Sequence, residues 1–107
     1  MIDSDAARAA VEVISGKWVL VVLVELAKGP KRHNELARET GLEQKPLDRA
    51  LRRLEEAGLV ARNVSTTESP PRVRYRLTSQ AEELLGPLGE LAGWWHREMA
   101  GRLDTRT

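Results

Sequence analysis

Between Glu43 and Val60, apolar side chains recur on one helical face: Leu47, Leu51 and Leu54, with Ala50 and Ala57 beside them, follow the i, i+3, i+4, i+7 pattern. At about 100° per residue, Lys45, Arg49, Arg52 and Glu56 fall on the opposite face, with Asp48 and Arg53 on its flanks. Gly58 supplies a left-handed stop, and Leu59-Val60 restart as an apolar extended run. The pattern predicts an amphipathic helix whose wet face is cationic through most of its length. Such a face is usually plain solvated surface, so the neighbouring segments decide its meaning.

Upstream, Ser4 is a plausible N-cap for a first helix carrying Ala6, Ala7, Ala10, Val11 and Ile14, interrupted at Ser15-Gly16. The run from Lys17 to Lys28, KWVLVVLVELAK, is rich in valine and favours a strand on propensity alone. Its length, the Leu20–Leu23 spacing and the Gly29-Pro30 stop favour a buried helix, which is the expectation adopted. Lys31 and Arg32 place two positive charges before the next element. His33 or Asn34 then caps a short helix, Glu35 to Thr40, that ends at Gly41. Leu36, Ala37, Gly41, Leu42, Leu47 and Ala50 resemble a helix-turn-helix in both residue type and interval. The small Ala37 lets two helices cross closely, and Gly41 permits the positive φ of a tight turn. In such a motif the second helix lies in the major groove, although an ordinary helical hairpin shares the pattern.

Downstream, residues 59–64 read as a strand, residues 65–71 as a polar, proline-stiffened loop, and Arg72 to Leu77 as a second strand. The last alternates strictly, with Val73, Tyr75 and Leu77 on one face and Arg72, Arg74 and Arg76 on the other. Two strands after a helix-turn-helix make a wing. Its arginine row suits a phosphate backbone or minor groove, and equally a sheet edge guarded by charge. Ser79 with Glu82 forms a capping box for a last helix. That helix continues through Leu84, Leu85, Leu88, Leu91, Trp94 or Trp95, and Met99, with a kink expected at Pro87. Residues 84–103 are too apolar for a lone exposed helix, and burial against a partner subunit is the simplest remedy.

The expected architecture is therefore mainly α with a small two-stranded β wing, in one winged helix-turn-helix domain spanning residues 1–107. Residues 1–28 form N-terminal helices, 33–58 the helix-turn-helix, 59–78 the wing and 79–103 a C-terminal dimerisation helix. The composition fits one such domain: 107 residues, 41% hydrophobic and 31% charged, with no Phe, so that aliphatic residues must fill the core. The net charge of +1 hides segregation. Residues 1–27 and 80–107 each carry two excess acids, whereas residues 28–62 carry three excess bases and residues 63–79 two. A basic centre between acidic ends suits presentation of the centre to a polyanion. Zero cysteines excludes disulfides, thiolate metal sites and thiol redox sensing, and fits a cytoplasmic setting. With only two histidines, far apart and without a catalytic motif, neither a metal site, a cofactor nor an enzyme is expected. The acidic N-terminus is not a secretory signal, and the longest apolar run is far short of the ~20 residues of a membrane helix.

Three segments, GKWVLVVLVEL at residues 16–26, LEQKPLDRALRRLEEAGLVAR at 42–62 and PPRVRYRLT at 70–78, with a closing helix containing Trp94, resemble the HxlR-type winged helix-turn-helix transcriptional regulators, relatives of the MarR group. They span nearly the whole chain in that family's order. The resemblance implies a bacterial homodimer built from the terminal helices, with two recognition helices reading successive major grooves of double-stranded DNA. Three departures matter. Many members carry an N-terminal cysteine that senses oxidants or electrophiles, which this chain lacks. The family's aromatic-Ser-Glu-Leu start to its third helix is here His33-Asn34-Glu35-Leu36. Glu43 stands where Ser often precedes Gln-Lys, and Pro46 lies in the first turn.

On this reading Lys31, Arg32, Lys45, Arg49, Arg52, Arg72 and Arg74 are candidates for phosphate contacts. Gln44, Lys45, Asp48, Arg49 and Arg52 are candidates for base edges: Gln suits adenine, Arg or Lys suits guanine, and Asp accepts from cytosine N4. A ligand-responsive repressor of this kind would use a noncovalent, small apolar or aromatic effector near Trp18, His33, Trp94 or Trp95. The rival expectation is a protein-interaction module whose cationic helix meets an acidic protein.

Overall fold

The computed structural model describes residues 1–104. In chain order it contains α1 (Ser4–Ile14), α2 (Val19–Leu26), β1 (Lys31–Arg32), α3 (His33–Thr40), α4 (Gln44–Glu56), β2 (Val60–Ser65), β3 (Arg72–Leu77), α5 (Ser79–Trp94) and α6 (Ala100–Asp104). A π-helical turn, Trp95–Met99, joins the last two helices.

The core forms where four helices and the sheet meet. Leu47, Ala50, Leu51 and Leu54 of α4 are buried with Val19, Val22, Leu23 and Leu26 of α2, Leu36 of α3, Tyr75 and Leu77 of β3, and Ala81 of α5. The buried positions of α2 recur at 19, 22, 23 and 26, a helical period that overrides the strand propensity of its valines. The helix is shorter than its sequence pattern at both ends. Trp18 takes φ +70°, outside the helical region, and the amide of Val19 donates to the Gly16 carbonyl at 3.0 Å, so Lys17 and Trp18 form a turn. At the other end Lys28 and Gly29 donate back to Glu25 and Leu26 in a closing turn.

The caps differ from the expected ones by one residue. Asp3, extended and accepting from the amides of Asp5 and Ala6 at 3.1 Å, caps α1 in place of Ser4. Thr78, extended at ψ 170°, caps α5 in place of Ser79; its hydroxyl accepts from Ala81 and donates to the Gly58 carbonyl at 2.7 Å. Helix α3 begins at His33 itself, with Arg32 in the capping position. Pro87 lies inside α5, which continues through it to Trp94.

The sheet has a strand that the sequence pattern did not reveal. Its order is β1-β3-β2, antiparallel throughout, with Lys31 opposite Tyr75 and Arg32 opposite Arg74. Beta-2 runs in register with β3 from Val60 opposite Leu77 to Ser65 opposite Arg72. The two residues of β1 cover the edge of β3 at Arg74 and Tyr75, so that edge is closed in part by main-chain pairing as well as guarded by charge.

The terminal helices are left with little to pack against. No residue of α1 is buried, and only Ala81 is buried in α5. Val11, Val24, Leu91, Trp94 and Trp95 are all exposed, with Val24 and Leu91 both at 54%. The radius of gyration is 16.1 Å; a spherical domain of this length would have about 13 Å. The molecule measures 54 × 34 × 21 Å. Among the described residues no helix is long and apolar enough to cross a membrane.

One stabilising contact has a definite pH signature. The Arg32 amide donates to Glu35 Oε1 at 2.9 Å, and this bond holds the Glu35 carboxyl below its ordinary value. A depressed folded pKa means that the contribution is present above the unfolded value, about 4.3, and is lost as pH falls through the folded one. Thermal melts from roughly pH 6 to pH 3 should therefore show a larger loss of Tm for the native chain than for Glu35→Gln. Equal slopes would remove Glu35 from the acid response.

Candidate nucleic-acid interface

The turn between α3 and α4 fixes how the cationic helix is held. Gly41 takes φ +74° and its amide donates to Ala37 O at 3.0 Å, which ends α3 in the left-handed region. Thr40 Oγ1 donates to the Leu36 carbonyl at 2.6 Å and accepts from the Leu42 amide at 3.3 Å, closing the same corner. Glu43 is extended ahead of α4 and makes no side-chain capping bond. Pro46 lies in the first turn, where its missing N–H has no intrahelical partner to lose. At the far end Gly58 (φ +75°) donates to Glu55 O at 3.0 Å and Leu59 to Leu54 O at 2.9 Å, the paired bonds of a Schellman stop.

With Leu47, Leu51 and Leu54 buried, α4 can present only its other face. Lys45, Arg49 and Arg52 are exposed there, and Gln44 is exposed at the start of the helix. Asp48 is half-buried, and its Oδ1 lies 2.6 Å from His33 Nε2. The structure thus joins a candidate base reader, Asp48, to a candidate ligand residue, His33, in one pair between α3 and α4.

Lys31 and Arg32 are separated by the pleat of β1. Residues directly opposite in an antiparallel pair share a face. Arg32 therefore shares a face with Arg74 and Asn63, whereas Lys31 shares one with the buried Tyr75 and with Arg62. Lys31 is also engaged: its Nζ lies 2.8 Å from Glu39 Oε2, its side chain is 15% exposed, and the Glu39 carboxylate raises its pKa. Arg72 pairs with Glu68 at 3.5 Å, while Arg74 and Arg76 are exposed along the outer face of β3.

Two clefts flank the exposed face of α4. One, of about 660 Å³, lies between the turn at Gly16–Val19 and α4 and is lined by Lys17, Trp18, Pro46, Arg49, Arg52, Arg53 and Glu56. The Lys17 ammonium stands 5.5 Å from the Trp18 ring centroid, within cation–π range. The other, of about 530 Å³, brings Asp48, Arg52 and Glu55 together with Arg62 and Tyr75 of the sheet. Arg52 lines both, so it occupies the ridge between them. Of the four candidate ligand residues only Trp18 lines a cleft here; Trp94 and Trp95 are exposed at the end of α5. The β3 arginines line neither cleft.

Two cations, Arg62 beside α4 and Arg53 on it, were absent from the sequence-derived site. Arg62 pairs with Glu55 of α4 at 3.5 Å. Strand alternation from Val60 places it on the Tyr75 face, so its signal was present in the pattern. Arg53 turns back toward α1, which no local pattern announces.

A family model described as HxlR-like helix-turn-helix matches residues 13–102. The HTH-type transcriptional regulator YkvN of Bacillus subtilis is 45% identical over 84 residues, covering 78% of this chain and 70% of that protein. An HTH-type transcriptional regulator of Methanothermobacter thermautotrophicus is 39% identical over 98 residues, with 86% and 74% covered. Among solved structures, the reduced form of the transcriptional regulator YodB from B. subtilis matches with TM-score 0.85 at 26% identity, covering 94% of this chain and 98% of that one. A regulator described as of the MarR family, from Enterococcus faecalis V583, matches with TM-score 0.82 at 35% identity, covering 100% and 96%.

The corner glycine gives a clean test of the local geometry. A Cβ at Gly41 would meet nothing within 4 Å, so any penalty for Gly41→Ala comes from its left-handed backbone alone. Urea denaturation should register a loss of about 1–2 kcal/mol. An unchanged midpoint would show that the corner relaxes out of the left-handed region.

Proposed function

The chain belongs to the HxlR-like helix-turn-helix family of DNA-binding transcriptional regulators, not enzymes, and on that premise we propose that it recognises a specific double-stranded DNA sequence as a homodimer. One observation carries the reading: Gln44, Lys45, Arg49 and Arg52 are exposed on a helix whose other face is locked into the core. In the proposal α4 enters the major groove, its first two turns supply base contacts, and Arg32, Arg72 and Arg74 on the sheet contact phosphates. Residues 33–58 act as the reading unit, 59–78 as the wing, and 1–28 with 79–103 as the subunit contact.

The dimer reading rests on the surplus of apolar surface. Val11 of α1 and Leu91, Trp94 and Trp95 near the C-terminus are exposed, and a two-fold interface would cover them in both copies. Regulation in this proposal is noncovalent. HypR, a solved structural match with TM-score 0.80 at 29% identity, is described as a redox regulator in its reduced form; this chain has no cysteine to oxidise. The cleft floored by Trp18 and Pro46 gives a small apolar or aromatic effector its room beside Arg49 and Arg52, where occupancy and DNA contact would be linked.

The test is fluorescence anisotropy on a duplex from upstream of the chain's own gene beside a scrambled duplex, at low and physiological salt. The expected preference at physiological salt is ~10³-fold or more. Arg49→Ala should cost ~1–3 kcal/mol, by an amount that depends on the duplex, while Arg74→Ala should weaken all duplexes alike and reduce the salt slope by about 1. Weak binding to every duplex even at low salt would overturn this function and bring forward the protein-interaction module.

A further inference from the structure

Helix α1 has an end that its own sequence completes only in part. Its last turn, Val11 to Ile14, contains Glu12 and no basic residue; Ser15 Oγ donates to the Glu12 carbonyl at 3.0 Å, but the negative pole of the helix lacks a cation of its own. Arg53 supplies one from α4. Its Nε donates to the Val13 carbonyl at 3.3 Å and its terminal Nη2 donates to the Glu12 carbonyl. Among the described residues, both hydrogen bonds that reach α1 from another element come from this guanidinium.

The approach is tight on the other side. A Cβ on Gly16 would lie 2.8 Å from Arg53 Cδ and 2.8 Å from Val19 Cγ2, so the absence of a side chain there makes room for the guanidinium. Since α1 buries no residue fully, this joint and the half-buried Val13 and Ile14 are what hold it to the body. Arg53 occupies the helix that carries Lys45, Arg49 and Arg52, one position beyond the last of them.

We infer that Arg53 is a positioning residue: by clamping the C-terminus of α1 to α4 it sets the separation of the two recognition helices in the dimer. The inference rests on the homodimer proposed above, in which α1 belongs to the subunit contact. A wrong angle at α1 in each copy would be carried to both reading helices, and the spacing between half-sites on DNA depends on their separation. Arg53 so used would contribute to recognition without touching DNA.

The absence of cysteine allows a single spin label at Arg38→Cys, on the exposed face of α3 and away from the joint. Pulsed electron–electron resonance between the two labels of a dimer, with sedimentation for mass and circular dichroism for folding, reads the separation directly. In the otherwise native chain one narrow distance distribution is expected. Arg53→Ala should keep the dimer mass and broaden that distribution about twofold, because several angles of α1 become accessible. Gly16→Ala, which pushes the guanidinium from the other side, should broaden it in the same way, and serves if Arg53→Ala fails to fold. Dimers with unchanged distributions in both variants would overturn the role of Arg53 and leave the dimer standing. A monomer at every concentration would overturn both.

Discussion

Everything in this molecule depends on the seating of one helix. Leu47, Leu51 and Leu54 are buried at 2% exposure or less, and in a chain without phenylalanine such aliphatic side chains fill the core. Each buried leucine contributes about 1.5–3 kcal/mol of transfer free energy relative to exposure. An exposed charge pair contributes only about 0–1 kcal/mol. The leucine stripe therefore decides the rotation of α4 about its axis, and the charged face follows as a geometric consequence. Arg49 and Arg52 point outward because Ala50, Leu51 and Leu54 point inward.

The parts of the structure that could be read from sequence are those where a residue type has one physical use. The period of the apolar positions placed α4. Gly41 placed the end of α3 and Gly58 the end of α4, because both take φ near +75°, where a side chain is disfavoured. Strict alternation placed Tyr75 and Leu77 inward and the three β3 arginines outward. The misses have the opposite character. Trp18 takes φ +70° as the residue just before α2, a conformation that a tryptophan does not favour and that the local sequence does not announce. Asp3 and Thr78 displaced neighbouring serines as caps, a choice among adjacent residues that all carry a suitable oxygen. Beta-1 is two residues long and is defined by its partner strand, so no periodicity could have disclosed it.

The same limit applies to the site. Exposure of Lys45, Arg49 and Arg52 followed from helical period alone, whereas Gln44 is exposed as the first residue of the helix. Pairings did not, since each joins residues distant in sequence: His33 with Asp48, Lys31 with Glu39, Arg53 with the carbonyls of α1. A charge count treats these groups as equivalent to Arg49. The folded chain divides them into cations that already face a partner and cations that do not.

That division bears on how a polyanion would be held. Among the described residues, Lys31 and Arg72 sit in ion pairs, whereas no ion pair engages Lys45, Arg49, Arg52 or Arg74. Opening an exposed pair costs about 0–1 kcal/mol, so Arg72 is available to phosphate at a small penalty. Lys31 is the harder case, because it shares the Tyr75 face of the sheet and is largely covered. Arg74 is exposed, whereas Arg32 is half-buried and its Nε is covered without a hydrogen-bond partner. The two stand directly opposite each other in the sheet, on one face, where like charges repel. A phosphate placed between them would relieve that repulsion as well as accept their hydrogen bonds, and its affinity would carry both contributions. The strand that sequence periodicity could not disclose is therefore what assembles this pair: without β1, Arg32 would be a loop cation beside a helix, and Arg74 a lone charge on an open edge.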